Sequence, residues 1–397
     1  MPLTQDQVAI IKATVPILET RGDEITKHFY TKMLDENETV RPFFNSTHQQ
    51  DFAQPKALAG ALLAYAKNIE NLEALGGLVE RIVQKHCSLN VLPEHYPIVG
   101  KYLLNALVEI LGKDVANDDV IAAWDAAYQA LADILIEAEG NVYDANEQAH
   151  GGWRGYRDFR VAMKVPEAEN VISFYLKPVD DKPILTPQPG QYLGFKFSME
   201  SGDVYTRQYS ISHEFLENEP YYRISIKRIP GGLISKFFHD QVREGDVIQV
   251  TPPYGELILD EKNTTDPVVM IGAGIGVTPL VAMTPKAVAA GRDVTFVQCD
   301  RDPAHQPFAK FFEEMKQKPN FHYKGFFSNK SVELPANSVN ERLNKDNLKA
   351  IMDQYKGDTD IYLVGPPPFM HDVRKYFSEF ANDKLHVHYE FFGPTTE

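Results

Sequence analysis

The chain has 397 residues, of which 43% are hydrophobic, so it is long enough for roughly two to four domains with buried cores. Its formal net charge of -15 disfavours nucleic acid and anionic membrane surfaces as partners, because both are negatively charged. The two cysteines, Cys87 and Cys299, are too distant in sequence to suggest a disulfide framework or a thiolate metal cluster. With neither a signal-peptide pattern nor a membrane-length apolar run, we expect a cytoplasmic protein.

Helical periodicity runs from Thr4 to about Tyr143. Thr4 and Gln7 predict a capping box at the start of the first helix, and Pro16 is expected to bend that helix. Further amphipathic segments occupy residues 25–34, 58–69, 72–86, 96–111 and 120–139. The pattern predicts an all-α domain of globin size at residues 1–139.

One histidine lies on the apolar stripe of the segment 72–86. At helical spacing His86 shares a face with Leu75, Val79, Ile82 and Val83, so it points inward. Lys85 lies off that stripe and is expected to face solvent. An inward histidine is more often a core residue than a ligand, so this helix alone does not make His86 a metal ligand.

Residues 140–151 are rich in turn formers and are predicted to be a linker. Beyond them the apolar period changes to two, with short strands expected near 159–165, 171–176, 192–197, 222–226 and 247–250. This pattern predicts a small antiparallel β-barrel at residues 152–262.

From residue 263 to the end, short apolar runs alternate with helical stretches. Strands are expected at 268–271, 294–297, 361–364 and 387–389, which indicates an α/β domain with a parallel sheet. A glycine-rich turn at 272–279 follows the first of these strands and leads into a helix, where backbone amides can approach a pyrophosphate. Pro285 should break that helix unless Thr284 caps a second segment.

The order of motifs in this part of the chain is specific. Arg207-Gln208-Tyr209-Ser210, Gly231-Gly232 with Ser235, Pro253-Tyr254-Gly255, the turn at 272–279 and Gly365-Pro366 closely resemble the ferredoxin-NADP reductase family. The resemblance covers about residue 151 to the C-terminus and implies FAD on the barrel and a nicotinamide dinucleotide on the parallel sheet. The cofactor-binding residues that it implies are Tyr192, Arg207, Gln208, Tyr209, Ser210, Gly231, Gly232, Ser235, Gly274, Ile275, Gly276, Val277, Thr278, Pro279, Phe391, Phe392, Gly393 and Pro394.

Three details qualify that resemblance. Val364 stands where the family usually has a cysteine near the nicotinamide, which affects the efficiency expected for hydride transfer. The acidic residues Asp300 and Asp302 would repel a 2'-phosphate and favour NADH, whereas Arg301 keeps NADPH open. The resemblance also places Glu390, at the end of the last strand, near the flavin and near the acceptor of its electrons.

A reductase needs an electron acceptor, and the helical domain is the obvious one. Tyr30, Phe44, Gln54 and Leu58 in the helical domain, together with His86, resemble the flavohaemoglobin family over nearly the whole chain. The resemblance implies that His86 ligates a b-type haem iron, held non-covalently because no cysteine pair precedes the histidine. It implies a distal pocket with Tyr30, Gln54 and Leu58, although Pro55 disfavours a helical conformation at Gln54.

The same resemblance assigns the proximal side. Tyr96 and Glu139 match the tyrosine and the carboxylate that bond the proximal imidazole, and Lys85 helps to orient that side. A carboxylate behind the imidazole makes it more electron-donating.

The family implies a nitric oxide dioxygenase that uses NADH or NADPH, FAD, haem and O2 to convert NO to nitrate, and that also binds O2 reversibly. A haem-dependent hydroperoxide or O2 reductase, and an O2- or NO-binding sensor globin whose reductase resets the iron, remain open alternatives. The expected partners are small molecules, with no nucleic acid and no membrane span. We expect a monomer, and apolar or lipid ligands of the distal pocket are not excluded.

Overall fold

The structure is a computed structural model that describes residues 3–44, 53–199, 202–329 and 333–393. The first part of the chain is helical and contains the helices α1 Gln5–Glu36, α2 Ala53–Lys67, α3 Gly76–Leu89, α4 Tyr96–Leu111 and α5 Asp118–Gln148. Short 3₁₀ turns lie at Arg41–Phe43, Leu72–Leu75 and Pro93–His95. These helices enclose one hydrophobic core.

Helix α1 shows why this segment folds as the sequence predicts. The Thr4 hydroxyl accepts a hydrogen bond from the Gln7 amide, and the Gln7 side chain accepts one from the Thr4 amide, which completes the predicted capping box. Ile11 and Leu18 are buried at helical spacing. Pro16 lies inside the helix without ending it.

Helix α5 continues to Gln148, so most of the predicted linker 140–151 is helical. The expectation that the helix ends near Gly140 is therefore wrong. Tertiary contacts outweigh the weak local propensity: Tyr143 is buried, its hydroxyl donates to the Val91 carbonyl at 2.8 Å, and Arg154 lies over its ring.

The middle of the chain forms a six-stranded antiparallel sheet with the strand order β4-β3-β6-β1-β2-β5. The strands are β1 Arg157–Ala168, β2 Val171–Pro178, β3 Tyr192–Ser198, β4 Val204–Ser210, β5 Tyr222–Lys227 and β6 Val247–Tyr254, with helix α6 Leu233–Asp240 between β5 and β6. An isolated antiparallel bridge joins Ile211, directly after β4, to Ile224 within β5, so the two edges of the sheet meet as in a barrel.

The last part of the chain is a parallel sheet with the strand order β10-β9-β8-β7-β11-β12 and helices between the strands. Its strands are β7 Val268–Ala273, β8 Val294–Asp300, β9 Phe321–Phe327, β10 Ser338–Val339, β11 Thr359–Val364 and β12 Leu385–Glu390. Its helices are α7 Val277–Ala289, α8 Ala309–Met315, α9 Lys345–Met352 and α10 Pro367–Phe380. The predicted multidomain class is confirmed: an all-α unit, then the antiparallel barrel-like unit, then the α/β unit.

Two local expectations in this last part need revision. Strands β9 and β10 were not predicted from the sequence. Pro285 does not break helix α7, which is continuous; the Thr284 hydroxyl donates to the Leu280 carbonyl one turn earlier rather than capping a new segment. Across all described residues, no helix is long and apolar enough to cross a membrane.

Candidate functional site

His86 lies in the last turn of α3, and its ring is fixed from one side. Its Nδ1 lies 2.7 Å from Glu139 Oε1 and 3.1 Å from the Tyr96 hydroxyl. A carboxylate at Nδ1 selects the tautomer in which that nitrogen carries the proton, so Nε2 keeps its lone pair. The imidazole therefore presents Nε2 as an available metal ligand.

Glu139 is held in place by the same cluster. Its side chain is 3% exposed, and the Tyr96 hydroxyl donates to Oε1 at 2.6 Å. Burial, together with the neighbouring Glu139 charge, raises the pKa of Tyr96, so this hydroxyl stays protonated and serves as a donor. Helices α3, α4 and α5 thus bring His86, Tyr96 and Glu139 together, as the family resemblance implied.

Tyr30 lies on α1 within the same helical core. Its ring packs edge-on against Phe29 and Phe44, with centroid distances of 4.7 and 5.3 Å. Burial raises the pKa of its hydroxyl, which keeps it a hydrogen-bond donor. Phe44 directly follows the 3₁₀ turn Arg41–Phe43.

Gln54 lies within the first turn of α2, so the expectation that Pro55 keeps it out of helical conformation is wrong. A proline is tolerated in the first helical turn because amides there have no partner within the helix. The Pro55 carbonyl accepts a hydrogen bond from the Thr26 hydroxyl at 2.9 Å, which ties α2 to α1. Leu58, one turn further along α2, is partly buried against the helical core.

These residues fit a haem. The His86 ring is oriented by a buried carboxylate, its side chain is 32% exposed, and apolar side chains line the helical core around it. Haem needs one axial protein ligand and an apolar surround, and this arrangement provides both.

Strand β4 carries the arginine-tyrosine-serine motif. The Arg207 guanidinium donates to the Thr206 carbonyl at 2.6 Å, and the Tyr209 ring packs edge-on against Phe195 and Phe238 of the barrel core. Burial raises the pKa of Tyr209, and Ser210 is 7% exposed at the end of the strand. The motif residues are therefore positioned by the barrel core.

The glycine pair precedes helix α6. Gly231 has a positive φ of 74°, and a Cβ on Gly232 would lie 2.6 Å from the Ser235 hydroxyl oxygen. That hydroxyl accepts a hydrogen bond from the Ile229 amide, which closes the loop. A Cβ on Gly231 would meet nothing within 4 Å, so the backbone at that residue is open to an incoming phosphate, whereas Gly232 allows Ser235 to approach the loop closely.

The turn at 272–279 requires glycine at particular positions. A Cβ on Gly276 would lie 2.5 Å from the Val364 carbonyl oxygen, and Gly274 has a positive φ of 54°. The side chains of Val277, Thr278 and Pro279 are buried, and the Thr278 hydroxyl donates to the Ile275 carbonyl at 2.9 Å. A dinucleotide bound at this turn would therefore contact its backbone rather than those side chains.

The C-terminal strand ends beside that turn. In the parallel ladder Glu390 pairs with Val364, and Val364 pairs with Gly272, so all three lie at one edge of the sheet. Burial raises the pKa of Glu390 to about 8, although the charge of Lys85 opposes the shift. Its Oε2 is buried without a hydrogen-bond partner among the described residues, which suits a site that a cofactor completes.

The residues after Glu390 are only partly described. Phe391 packs against the core of the α/β unit, whereas Phe392 is 46% exposed, a large apolar surface beside the sheet edge. Gly393 has a positive φ of 154°. Pro394, also predicted to contact the flavin, lies outside the described residues.

Lys85 is exposed, as the sequence predicts, but its charged end also has a partner in the barrel unit. The Lys85 ammonium donates to Gln208 Oε1 at 2.6 Å, across the boundary between the helical and barrel units. Tyr192 on β3 is buried beside the same boundary, and burial raises its pKa. The predicted flavin and haem residues are therefore neighbours in space.

Sequence reasoning missed Lys227 at the end of β5. Its Nζ lies 3.4 Å from where a Cβ on Gly274 would be, so a cation from the barrel unit sits beside the glycine turn. Burial raises the pKa of the half-buried Asp300 to about 6, although the smaller effect of the Lys227 charge lowers that pKa. A lone lysine at a strand end carries no local signal, so only the tertiary arrangement identifies it.

Known families match all three units of the chain. The globin family matches residues 27–135, the oxidoreductase FAD-binding domain residues 158–258, and the oxidoreductase NAD-binding domain residues 270–375. The predicted cofactor classes are confirmed by these matches: haem, FAD and a nicotinamide dinucleotide.

Relatives match this chain over nearly its whole length. A flavohemoprotein of Pseudomonas aeruginosa is 44% identical over 99% of this chain and 98% of the relative, and one of Candida albicans is 39% identical over 99% and 97%. The crystal structure of a flavohemoglobin from Malassezia yamatoensis, with bound FAD and heme, has a TM-score of 0.81 and 26% identity, and covers 98% of this chain and 100% of that structure. The FAD/NAD-binding domain of a nitric oxide dioxygenase from Vibrio cholerae has a TM-score of 0.54 and 31% identity, and covers 61% of this chain and all of that structure.

Proposed function

This chain belongs to the flavohemoprotein family, and from that premise we propose that it is a nitric oxide dioxygenase, which consumes NAD(P)H, O2 and NO and releases nitrate. The coarser activity follows from its domains: it is an oxidoreductase with a haem and a flavin. When bound, the haem and the flavin supply the redox chemistry, passing electrons from NAD(P)H to the O2 site. The remaining expectations, a monomer in the cytoplasm, stay predictions.

The observation that carries the proposal is the hydrogen-bonded set of His86, Tyr96 and Glu139. Glu139 holds the proton of His86 at Nδ1 and makes Nε2 more electron-donating. A strongly donating axial ligand favours activation of O2 over simple storage. The buried carboxylate therefore supports an enzyme rather than a passive O2 carrier.

On the distal side, Tyr30 is proposed to donate its hydroxyl proton in a hydrogen bond to O2. Burial raises its pKa, so the donor is retained at physiological pH. A hydrogen bond to an acceptor with developing negative charge is stronger than one to a neutral acceptor, so it slows the escape of O2 and holds it for NO. We assign Gln54 and Leu58 to the same pocket.

In the reductase half, we assign Arg207, Tyr209 and Ser210 to the flavin and the turn at 272–279 to the dinucleotide. Asp300 lies at the end of β8 with a buried Oδ2 that has no hydrogen-bond partner among the described residues, and a carboxylate there can accept from a ribose hydroxyl. A 2'-phosphate would meet this carboxylate unfavourably, so NADH is the proposed reductant.

The test measures NO consumption by the holoenzyme in air, with and without NADH, and quantifies nitrate. We expect NADH-dependent loss of NO and a matching yield of nitrate. If NO disappears no faster with NADH than without it, the dioxygenase proposal is wrong. NADH oxidation that depends on an added hydroperoxide and not on NO would instead indicate the peroxide reductase.

The variant His86→Ala tests the haem half of the protein separately from the reductase half. The variant should lose the haem spectrum and the nitrate yield while NADH still reduces the flavin. Retention of a normal haem spectrum would refute the assignment of His86 as the ligand.

A further inference from the structure

Helix α3 carries a polar stripe beside the apolar stripe that holds His86. The stripe consists of Arg81, Gln84, Lys85 and Ser88, whose spacing places them on one face of the helix. All four contact the barrel unit, and we refer to them as the docking stripe. The helix that bears the haem ligand is therefore also the helix that contacts the flavin domain.

The first half of the docking stripe meets the segment just after β6. The Gly255 amide donates to Gln84 Oε1 at 3.0 Å, and Arg81 Nε lies 3.4 Å from Glu256 Oε1. The amide of Gly255 thus finds its acceptor on a side chain 171 positions away rather than in its own sheet.

The second half meets strand β4 through one glutamine. Gln208 accepts from the Lys85 ammonium at 2.6 Å and donates to the Ser88 hydroxyl at 3.3 Å. Ser88 in turn donates to the Lys85 carbonyl at 2.7 Å, so its hydroxyl is satisfied on both sides. Gln208 lies between Arg207 and Tyr209, and successive side chains of a strand point to opposite faces.

Backbone contact brings the two units closer still. In the ladder Gly194 on β3 lies directly opposite Gln208 on β4. A Cβ on Gly194 would overlap the carbonyl oxygen of Ser88, so only glycine allows α3 to approach β3 this closely. The end of α3 therefore packs backbone to backbone against the strand next to the flavin motif.

We propose that the docking stripe positions α3 on the barrel and thereby sets the rate of electron transfer from flavin to haem, with Gln84 and Ser88 as positioning residues. Electron tunnelling falls exponentially with distance, and an interface held by a few hydrogen bonds is open to relative motion when one is lost. The proposal rests on the flavin-to-haem path of the proposed function but not on the gas that is consumed.

The redox step is balanced by the established reductant class. NADH delivers a hydride to the oxidised flavin, and a proton is taken up from solvent. Each electron that then crosses the docking stripe converts one ferric iron to ferrous, and one proton returns to solvent per electron. No further oxidant or reductant is needed.

The experiment uses the holoenzyme without O2 or NO, mixed with NADH in a stopped-flow spectrometer. The double variant Gln84→Met, Ser88→Ala keeps side-chain bulk at residue 84 but removes two hydrogen bonds to the barrel. We expect the rate of flavin bleaching to stay as in the parent and the rate of the haem Soret shift to fall about tenfold, because two ordinary hydrogen bonds correspond to about one decade in an equilibrium constant.

Two single variants serve as comparisons for the double variant. Gln84→Glu keeps an oxygen acceptor for the Gly255 amide and should transfer electrons faster than Gln84→Met. Gln129→Met changes an exposed glutamine on α5 and should behave like the parent. Because the assay contains neither gas, a failure of the dioxygenase proposal would leave this result unchanged.

A second readout does not depend on electron transfer. Hydrogen-deuterium exchange of the Gly255 amide should be faster in Gln84→Met, since that amide loses its acceptor, while the haem spectrum and the midpoint potentials stay as in the parent. A merely structural role would instead change the spectrum or the potentials. Gly194→Ala, which pushes α3 away from β3, should slow haem reduction further if it folds.

Three results would overturn the proposal: haem reduction at the parental rate in the double variant, an equal fall in flavin bleaching and haem reduction, or unchanged exchange at Gly255. The double variant decides the matter even if Gly194→Ala does not fold.

Discussion

Replacing Glu139 with glutamine tests the proximal side most directly. Glu139 Oε1 accepts from the Tyr96 hydroxyl at 2.6 Å and lies 2.7 Å from His86 Nδ1, and the side chain is almost completely buried. Glutamine keeps the shape and one acceptor oxygen but removes the charge. The charged acceptor stabilises oxidised iron through the imidazole, so its loss should favour the reduced form.

The size of the effect follows from the strength of the bond. A charge-assisted hydrogen bond is worth roughly twice a neutral one, so the change removes about 1–2 kcal/mol of preference for oxidised iron. A tenfold change in a one-electron equilibrium corresponds to about 1.4 kcal/mol and 59 mV. The haem midpoint potential should therefore rise by roughly 40–90 mV.

Spectroelectrochemical titration of the haem Soret band measures this potential, and the flavin potential should not change. The control is Glu137→Gln, which alters an exposed carboxylate two residues away on the same helix. If the Glu139→Gln potential stays within the range of that control, the carboxylate does not tune the iron and the reasoning fails.

Three further predictions concern the other sites. Tyr30→Phe should speed O2 dissociation about tenfold or more, measured by stopped-flow displacement; a rate equal to that of Tyr376→Phe would make Tyr30 a packing residue. The folded chain raises the pKa of Glu390 from 4.5 to about 8. As the pH rises, the unfolded chain therefore loses this proton first, and the stability that Glu390 contributes is lost between about pH 4.5 and about pH 8. Glu390→Gln should flatten that part of the pH profile of the denaturation midpoint, and an unchanged slope would contradict the shift. Gly276→Ala should raise the KM for NADH about tenfold or more, since its Cβ would lie 2.5 Å from the Val364 carbonyl oxygen, while Gly357→Ala, with open space around it, should not.

Val364 stands at the position where the sequence departs from the reductase family, and the structure shows its surroundings. Val364 is fully buried and paired in register with Glu390 and Gly272. Its side chain lies at the same sheet edge as the predicted nicotinamide site.

Much of the fold was predictable because local patterns report local structure. Thr4 and Gln7 indicate a helix start wherever the chain folds, and period-two apolar residues indicated five of the six strands of the barrel unit, all but β4. The pattern failed where tertiary contacts override weak propensity, as in the continuation of α5 past Gly140 and of α7 past Pro285. Strand β10, only Ser338–Val339, is too short to leave a period.

The sequence by itself determined the order of the three units, the motif residues and the one inward histidine of α3, since spacing along a chain is enough to show which residue types share a helix face or follow a strand. Only the tertiary structure shows the contact itself, with Glu139 Oε1 2.7 Å from His86 Nδ1, and the hydrogen bonds by which the polar face of the same helix reaches the barrel. The physical reason is that contacts between distant segments depend on how helices and sheets pack. A polar stripe has the same pattern whether it meets solvent or another domain.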